Sequence, residues 1–177
     1  MKKILFVVMA MFAFGLQNVN AQDEPQEAVQ EAPKDAPLTI VSNHPDFKIK
    51  VKRCAASGKT VIIDLLLTNT GTQDVDGLVA YGGRDEFGHN LPTQVYDIEG
   101  NIYNYQIYVK LANSEKYSIE QWVDLLPDVP VKMSVKVEGV STTAEAFARV
   151  RLSFKCNKWG LYQEKPAVLR NIPISRD

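Results

Sequence analysis

The stretch Val61-Ile62-Ile63-Asp64-Leu65-Leu66-Leu67-Thr68-Asn69-Thr70-Gly71 decides the architecture. It carries Val, Ile and Leu almost without interruption, holds a single charge at Asp64, and stops at an Asn-Thr-Gly turn signal. A run this short, rich in β-branched residues and closed by turn residues, is a strand rather than a buried helix. Val61, Ile63, Leu65 and Leu67 form one face. Ile62, Asp64, Leu66 and Thr68 form the other, so this strand lies deep in a sheet.

Outward from it, the apolar period stays near two. Phe47, Ile49 and Val51 alternate with Lys48, Lys50 and Lys52. Tyr103, Tyr105, Ile107, Val109 and Leu111 share one parity opposite Asn104, Gln106 and Lys110. Val131 to Val137 alternates with Lys132, Ser134, Lys136 and Glu138, and Ala148 to Cys156 alternates with Arg149, Arg151, Ser153 and Lys155. Period two is the signature of strands with one buried face. Weaker strands are expected near 75–82, 92–97 and 167–174. Turn signals fall between the runs at Ser57-Gly58, Asn69-Thr70-Gly71, Asp85 to Asn90 and Glu99-Gly100-Asn101. Helix is scarce. Ile119, Trp122 and Leu125-Leu126 are spaced for one short helix or turn over Ser118–Leu126, and Thr142–Ala146 suits another turn.

Seven or eight antiparallel strands in the 140 residues from 38 to 177 predict an all-β, two-sheet sandwich around one core. The run Val61–Gly71, the segment Asp97-Ile98-Glu99-Gly100-Asn101-Ile102-Tyr103, the lead Leu126-Pro127-Asp128-Val129-Pro130-Val131-Lys132 and the strand Phe147–Phe154 resemble the immunoglobulin-like, telokin-like domains of small exported bacterial proteins of unknown function. The resemblance spans roughly residues 45–156 and rests on strand and turn features. It implies an immunoglobulin-like fold and no chemistry, because one such fold hosts many unrelated functions. The cysteine and tryptophan placing of antibody domains is not reproduced: Trp122 and Trp159 both come late.

At the amino terminus, Lys2 and Lys3 precede an apolar run from Ile4 to Leu16, and Val19-Asn20-Ala21 supplies small residues for cleavage before Gln22. This is the pattern of a secretory signal peptide over residues 1–21. The run, about 13 residues, is short of the roughly 20 that span a bilayer. No cysteine follows the cleavage point to carry a lipid. The expectation is a bacterial protein delivered to the periplasm or secreted. Residues 22–37 hold Asp23, Glu24, Glu27, Glu31 and Asp35 against Lys34, a net −4, with three prolines and only Val29 as a strongly apolar residue. Such a segment buries too little to offset its ordering entropy and reads as an acidic, disordered linker. Residues 38–177 then carry about +1, which offers no general footprint for nucleic acid.

Cys54 and Cys156 are the only cysteines. In an oxidising compartment a pair favours one disulfide, closing a loop of about a hundred residues. Parity works against it, since Cys156 falls on an apolar face and Cys54 on the lysine face, unless a bulge turns Cys54 inward. Chemistry is sparse elsewhere. His44 and His89 lie in no metal-binding spacing, and the chain has no Gly-x-Ser-x-Gly elbow, Walker loop or dinucleotide fingerprint. Asp97, Glu99 and Asn101 alternate around Gly100 as weak calcium candidates, without the downstream bidentate Glu a calcium loop needs. No cofactor is implied.

Exposed aromatics remain. Trp159 and Tyr162 flank a glycine in a late loop, and Tyr108 falls on an outward parity, so these three are the binding candidates; Tyr103 and Tyr105 read as core. The leading functional reading is a non-enzymatic protein-interaction module of the cell envelope, working through strand edges and loops. The alternatives are a carbohydrate-binding module using Trp159 and Tyr162, and a hydrolase or enzyme inhibitor. Convergence of His89 with Asp85 and Asp97 would favour catalysis.

Overall fold

The computed structural model describes residues 37–42, 47–84, 92–112, 114–156 and 166–176. His44, Asp85, His89, Trp159 and Tyr162 lie outside the described residues, as do residues 1–36, which hold the signal segment and all but the last residue of the linker.

Among the described residues twelve strands make two facing sheets: β1 (Thr39–Ser42), β2 (Phe47–Ser57), β3 (Thr60–Asn69), β4 (Val75–Tyr81), β5 (Gln94–Asp97), β6 (Ile102–Tyr103), β7 (Ile107–Leu111), β8 (Glu120–Leu125), β9 (Val131–Val137), β10 (Ala146–Lys155), β11 (Ala167–Pro173) and β12 (Ser175–Arg176). The smaller sheet has the order β12-β2-β3-β9-β7. The larger runs β1-β11-β10-β4-β8, with β5 and β6 beside the first half of β10. Pairings are antiparallel except β12 on β2. The fold is thus an all-β sandwich of two sheets, as the alternation predicts.

Its core forms where the apolar parities of the two sheets meet. Ile63, Leu65 and Leu67 of β3 face Phe147, Leu152 and Phe154 of β10, all fully buried or nearly so. Phe47 meets Phe154 edge-on, with ring centroids 5.2 Å apart. Each such side chain contributes roughly 1.5–3 kcal/mol by leaving water, so the two central strands carry much of the stability.

Three expectations need correction. Strands exceed eight because β1, β6 and β12 are too short to show a period, and in β8 an apolar spacing of three and four competes with the alternation. The segment Ser118–Leu126 is no helix: its apolar spacing reflects a strand, β8, whose Gln121, Val123 and Leu125 turn inward while Trp122 faces out. Among the described residues no helix occurs. The third concerns residues 103–111, which are two strands rather than one. β6 belongs to the larger sheet and β7 to the smaller, and the chain bends at Tyr105-Gln106 between them. Parity restarts at the bend, so Tyr103 packs on the core while Tyr105 stands 62% exposed.

The cysteines are corrected too. A bulge between Val51 and Arg53 does turn Cys54 inward, opposite Ile63. Both side chains are nevertheless buried without a disulfide between them. Phe154 meets Phe47 at one end of the sandwich, and Cys156 lies two residues beyond it. Cys54 is seven residues further along β2, roughly 23 Å at strand rise, toward the end where Arg176 reaches Gly58 and Ala144. A disulfide needs Cα atoms within about 7 Å, so the two cysteines belong to opposite ends. Burial, with help from the negative Asp64, pushes the Cys54 thiol up to about 12 despite the nearby Arg176.

Candidate functional site

β8 ends the larger sheet: β4 pairs with it on one side, and among the described residues no strand pairs with the other side over Glu120–Leu125. An edge of this kind presents main-chain donors and acceptors to any extended segment that approaches. Its two ends are held by distant parts of the chain. At the start, the Gly82 N–H donates to the Ile119 carbonyl (2.7 Å), and Val109 and Ser118 exchange bonds of 2.7 and 2.9 Å that tie β7 to this segment. The Gly83 N–H donates to Ile107 (2.7 Å), and the Arg84 N–H to Asn104. Residues 82–84 therefore run as a seam between the two sheets. Only glycine fits there, because a Cβ on Gly82 would fall on the Ile107 carbonyl oxygen and one on Gly83 on that of Tyr105.

At the far end of β8, the buried Asn69 amide donates to the Leu125 carbonyl (3.0 Å) and the Gln73 carbonyl (2.8 Å), and its backbone carbonyl accepts from the Asp128 N–H (2.8 Å). Pinned at both ends, the strand between is a preformed edge. Trp122, 73% exposed, projects from its middle beside Val79 of β4. Glu120 and Asp124 share its face, and the Asp124 carboxylate accepts from the Gly77 N–H (2.7 Å). Asp76 and Asp128 are exposed on the adjoining strand and loop, and the apolar surface continues into Leu126 and Val129. The result is one large aromatic within an acidic border.

The residues predicted from sequence fare differently. Tyr108 is half-buried, and the Lys136 ammonium lies 4.7 Å from its ring centroid, so its face is already occupied. Trp159 and Tyr162 lie outside the described residues. Asp97 is fully buried and works as a turn organiser. One carboxylate oxygen accepts from the Glu99 and Asn101 N–H groups (3.0 and 2.9 Å), and the other from the Asn101 amide and Tyr103 hydroxyl (2.9 and 2.8 Å). Four donors aimed at it leave the carboxylate for the β5–β6 turn rather than a cation. Among the described residues no group of three His, Cys, Asp or Glu side chains converges to hold a metal ion. Tyr103 completes the turn: its hydroxyl also accepts from the Ser141 N–H (3.2 Å). Desolvation, reinforced by the bond to Asp97 and outweighing the Ser141 contact, pushes its hydroxyl up to about 12.

Sequence reasoning missed Trp122 as a surface residue. The signal is present: Gln121, Val123 and Leu125 alternate with Glu120, Trp122 and Asp124, placing the tryptophan on the charged parity. The competing spacing of three and four hid it.

No family model and no curated protein matches the chain. Among solved structures it is similar to the GAE domain of GGA2p from Saccharomyces cerevisiae, with a TM-score of 0.39 at 13% identity, covering 77% of this chain and 98% of that one. A family 123 glycoside hydrolase from Clostridium perfringens aligns with a TM-score of 0.38 at 7% identity, covering 78% of this chain and 28% of that one. The major fimbrial subunit MyfA of Yersinia enterocolitica, solved in complex with galactose, aligns at 0.32 and 9% identity over 77% of this chain and 100% of that one.

Proposed function

We propose that the protein is an exported, non-enzymatic interaction module of the bacterial cell envelope that binds an extended protein segment along the free edge of β8. The observation that carries this reading is Trp122, a large exposed aromatic in the middle of an open strand edge that is held at both ends. Addition of a strand there satisfies main-chain groups, and the aromatic supplies an anchor with little entropy to lose. Glu120, Asp124, Asp76 and Asp128 select for cationic side chains in the partner. The Lys2-Lys3 start and the apolar run after it support export.

Selection of displayed random peptides on the immobilised protein tests this. Enrichment of a motif alternating aromatic or aliphatic residues with Lys or Arg is expected. Binding should fall at least about tenfold with Trp122→Ala, a hot-spot loss, and further with Trp122→Pro, which also removes a main-chain donor on the side of β8 turned away from β4. Motifs indifferent to both substitutions would refute the β8 edge as the binding surface.

A further inference from the structure

The outer face of the smaller sheet is the most strongly charged surface among the described residues. By strand alternation and register it presents Lys48 and Lys50 with Lys52 in the bulge and Arg53 on β2, Lys132 and Lys136 on β9, and Lys110 on β7. Against these seven cations stand Asp64 and Glu138, a net +5 on a domain whose total is about +1. Part of the charge is used internally. Arg53 pairs with Asp64 (3.2 Å), Lys136 with Glu138 (2.7 Å), and Lys110 and Lys136 lie over the Tyr117 ring at 5.1 and 5.2 Å. Lys48, Lys50, Lys52 and Lys132 are exposed and meet no acid among the described residues. Lys50 and Lys132 lie on either side of half-buried Leu66 in one cross-strand row, and Lys48 is opposite Thr68. Like charges gathered on one flat face cost stability through mutual repulsion unless something negative lies over them.

The chain itself carries the complementary charge. Residues 22–37 sum to −4 and join the body at Leu38. The junction is on the correct side: Asn171 donates to the Pro37 carbonyl (3.1 Å), and β1, which follows at once, approaches β2, the strand that bears three of the four free lysines. Sixteen residues reach roughly 50 Å when extended, whereas the two sheets are only about 10 Å apart. Covalent attachment raises the local concentration of the acids far above that of any free anion.

We infer that the lysine face of the smaller sheet is covered by the chain's own acidic segment, residues 22–37, which shields it from external anions. The contact is electrostatic, so it weakens with salt over the range in which the screening length falls below about 8 Å. It is independent of the β8 edge, which belongs to the other sheet.

Zero-length carbodiimide crosslinking of the processed protein, beginning at Gln22, tests the inference, with an equimolar mixture of light and heavy isotope-labelled chains. The expected result is crosslinks within one chain from the 22–37 carboxylates to Lys48, Lys50, Lys52 or Lys132, about fivefold over those to Lys59 and Lys116, and lost at high salt. Crosslinks spread evenly over all lysines, or with about half of them joining a light chain to a heavy one as random pairing of two copies requires, would overturn it; the latter would assign the face to a second copy. A second measurement uses phosphatidylglycerol vesicles. The full-length variant with Asp23, Glu24, Glu27, Glu31 and Asp35 changed to Asn or Gln should bind them several-fold more tightly than the parent, and equal binding would show that an external surface, not the segment, is the occupant.

Discussion

β3 and β8 are both alternating strands, yet they are held by different means. β3 lies between β2 and β9 and buries Val61, Ile63, Leu65 and Leu67 completely or nearly so. Its position follows from its own side chains. β8 buries only Leu125 fully, leaves Trp122 in solvent, and keeps its place through groups remote in sequence: the glycines at 82 and 83, the Val109–Ser118 bridge and the Asn69 amide. A central strand is specified by what it removes from water, whereas an edge strand meant to stay open must be specified by its anchors. That leaves its outer side available for binding.

Five measurements break or sharpen this contrast. Leu67→Ala should have the largest effect, about 3–4 kcal/mol of lost stability in urea unfolding, because it empties a fully buried site between two sheets. A loss below about 1 kcal/mol would mean that β3 is not the packing centre. Gly82→Ala should come next, about 2 kcal/mol, since its methyl group meets backbone rather than a movable side chain. It should also raise amide exchange at Ile119–Gln121 ahead of β3, and an unchanged exchange pattern there would count against the seam as an anchor.

Alkaline titration follows. Cys54 and Tyr103 have folded values pushed up to about 12 from ordinary values of 9.0 and 10.0, so the protonated forms are favoured in the fold. Their contribution is whole below pH 9.0, where both are protonated folded or unfolded, and is lost as pH rises toward about 12. Stability should therefore decline above pH 9.0, less steeply in Tyr103→Phe. In the same samples, both thiols should react with a disulfide reagent only after unfolding without reductant; their absence after unfolding would restore the Cys54–Cys156 bridge. Smallest of all is Trp122→Ala, expected within about 0.5 kcal/mol of the parent. A larger loss would show that Trp122 packs against something and is not a free anchor.

Much of the sandwich was legible in the chain. β2, β3, β9 and β10 show clean alternation, and the turn at Gly100 appears where glycine and asparagine adjoin a strand end. The candidate site was hardly legible. Trp122 sat in a segment whose spacing fits two periods, Tyr108 looked exposed because its covering partner Lys136 comes from a strand paired far along the chain, and Asp97 looked like a ligand because the Tyr103 hydroxyl that occupies it lies beyond the turn. Sequence distance conceals such partners.

By itself, the sequence determined the class of fold, since alternating apolar faces have to be buried and a sandwich buries them in pairs. It also determined the separation of an acidic leader segment from a nearly neutral body, because charge is a property of composition. Only the tertiary structure decided which end of the sandwich each cysteine occupies, which strand is left open and which aromatic is left bare. Those outcomes depend on registers and crossings between strands many residues apart, where a single bulge or a bend at Tyr105-Gln106 reverses the face a side chain presents.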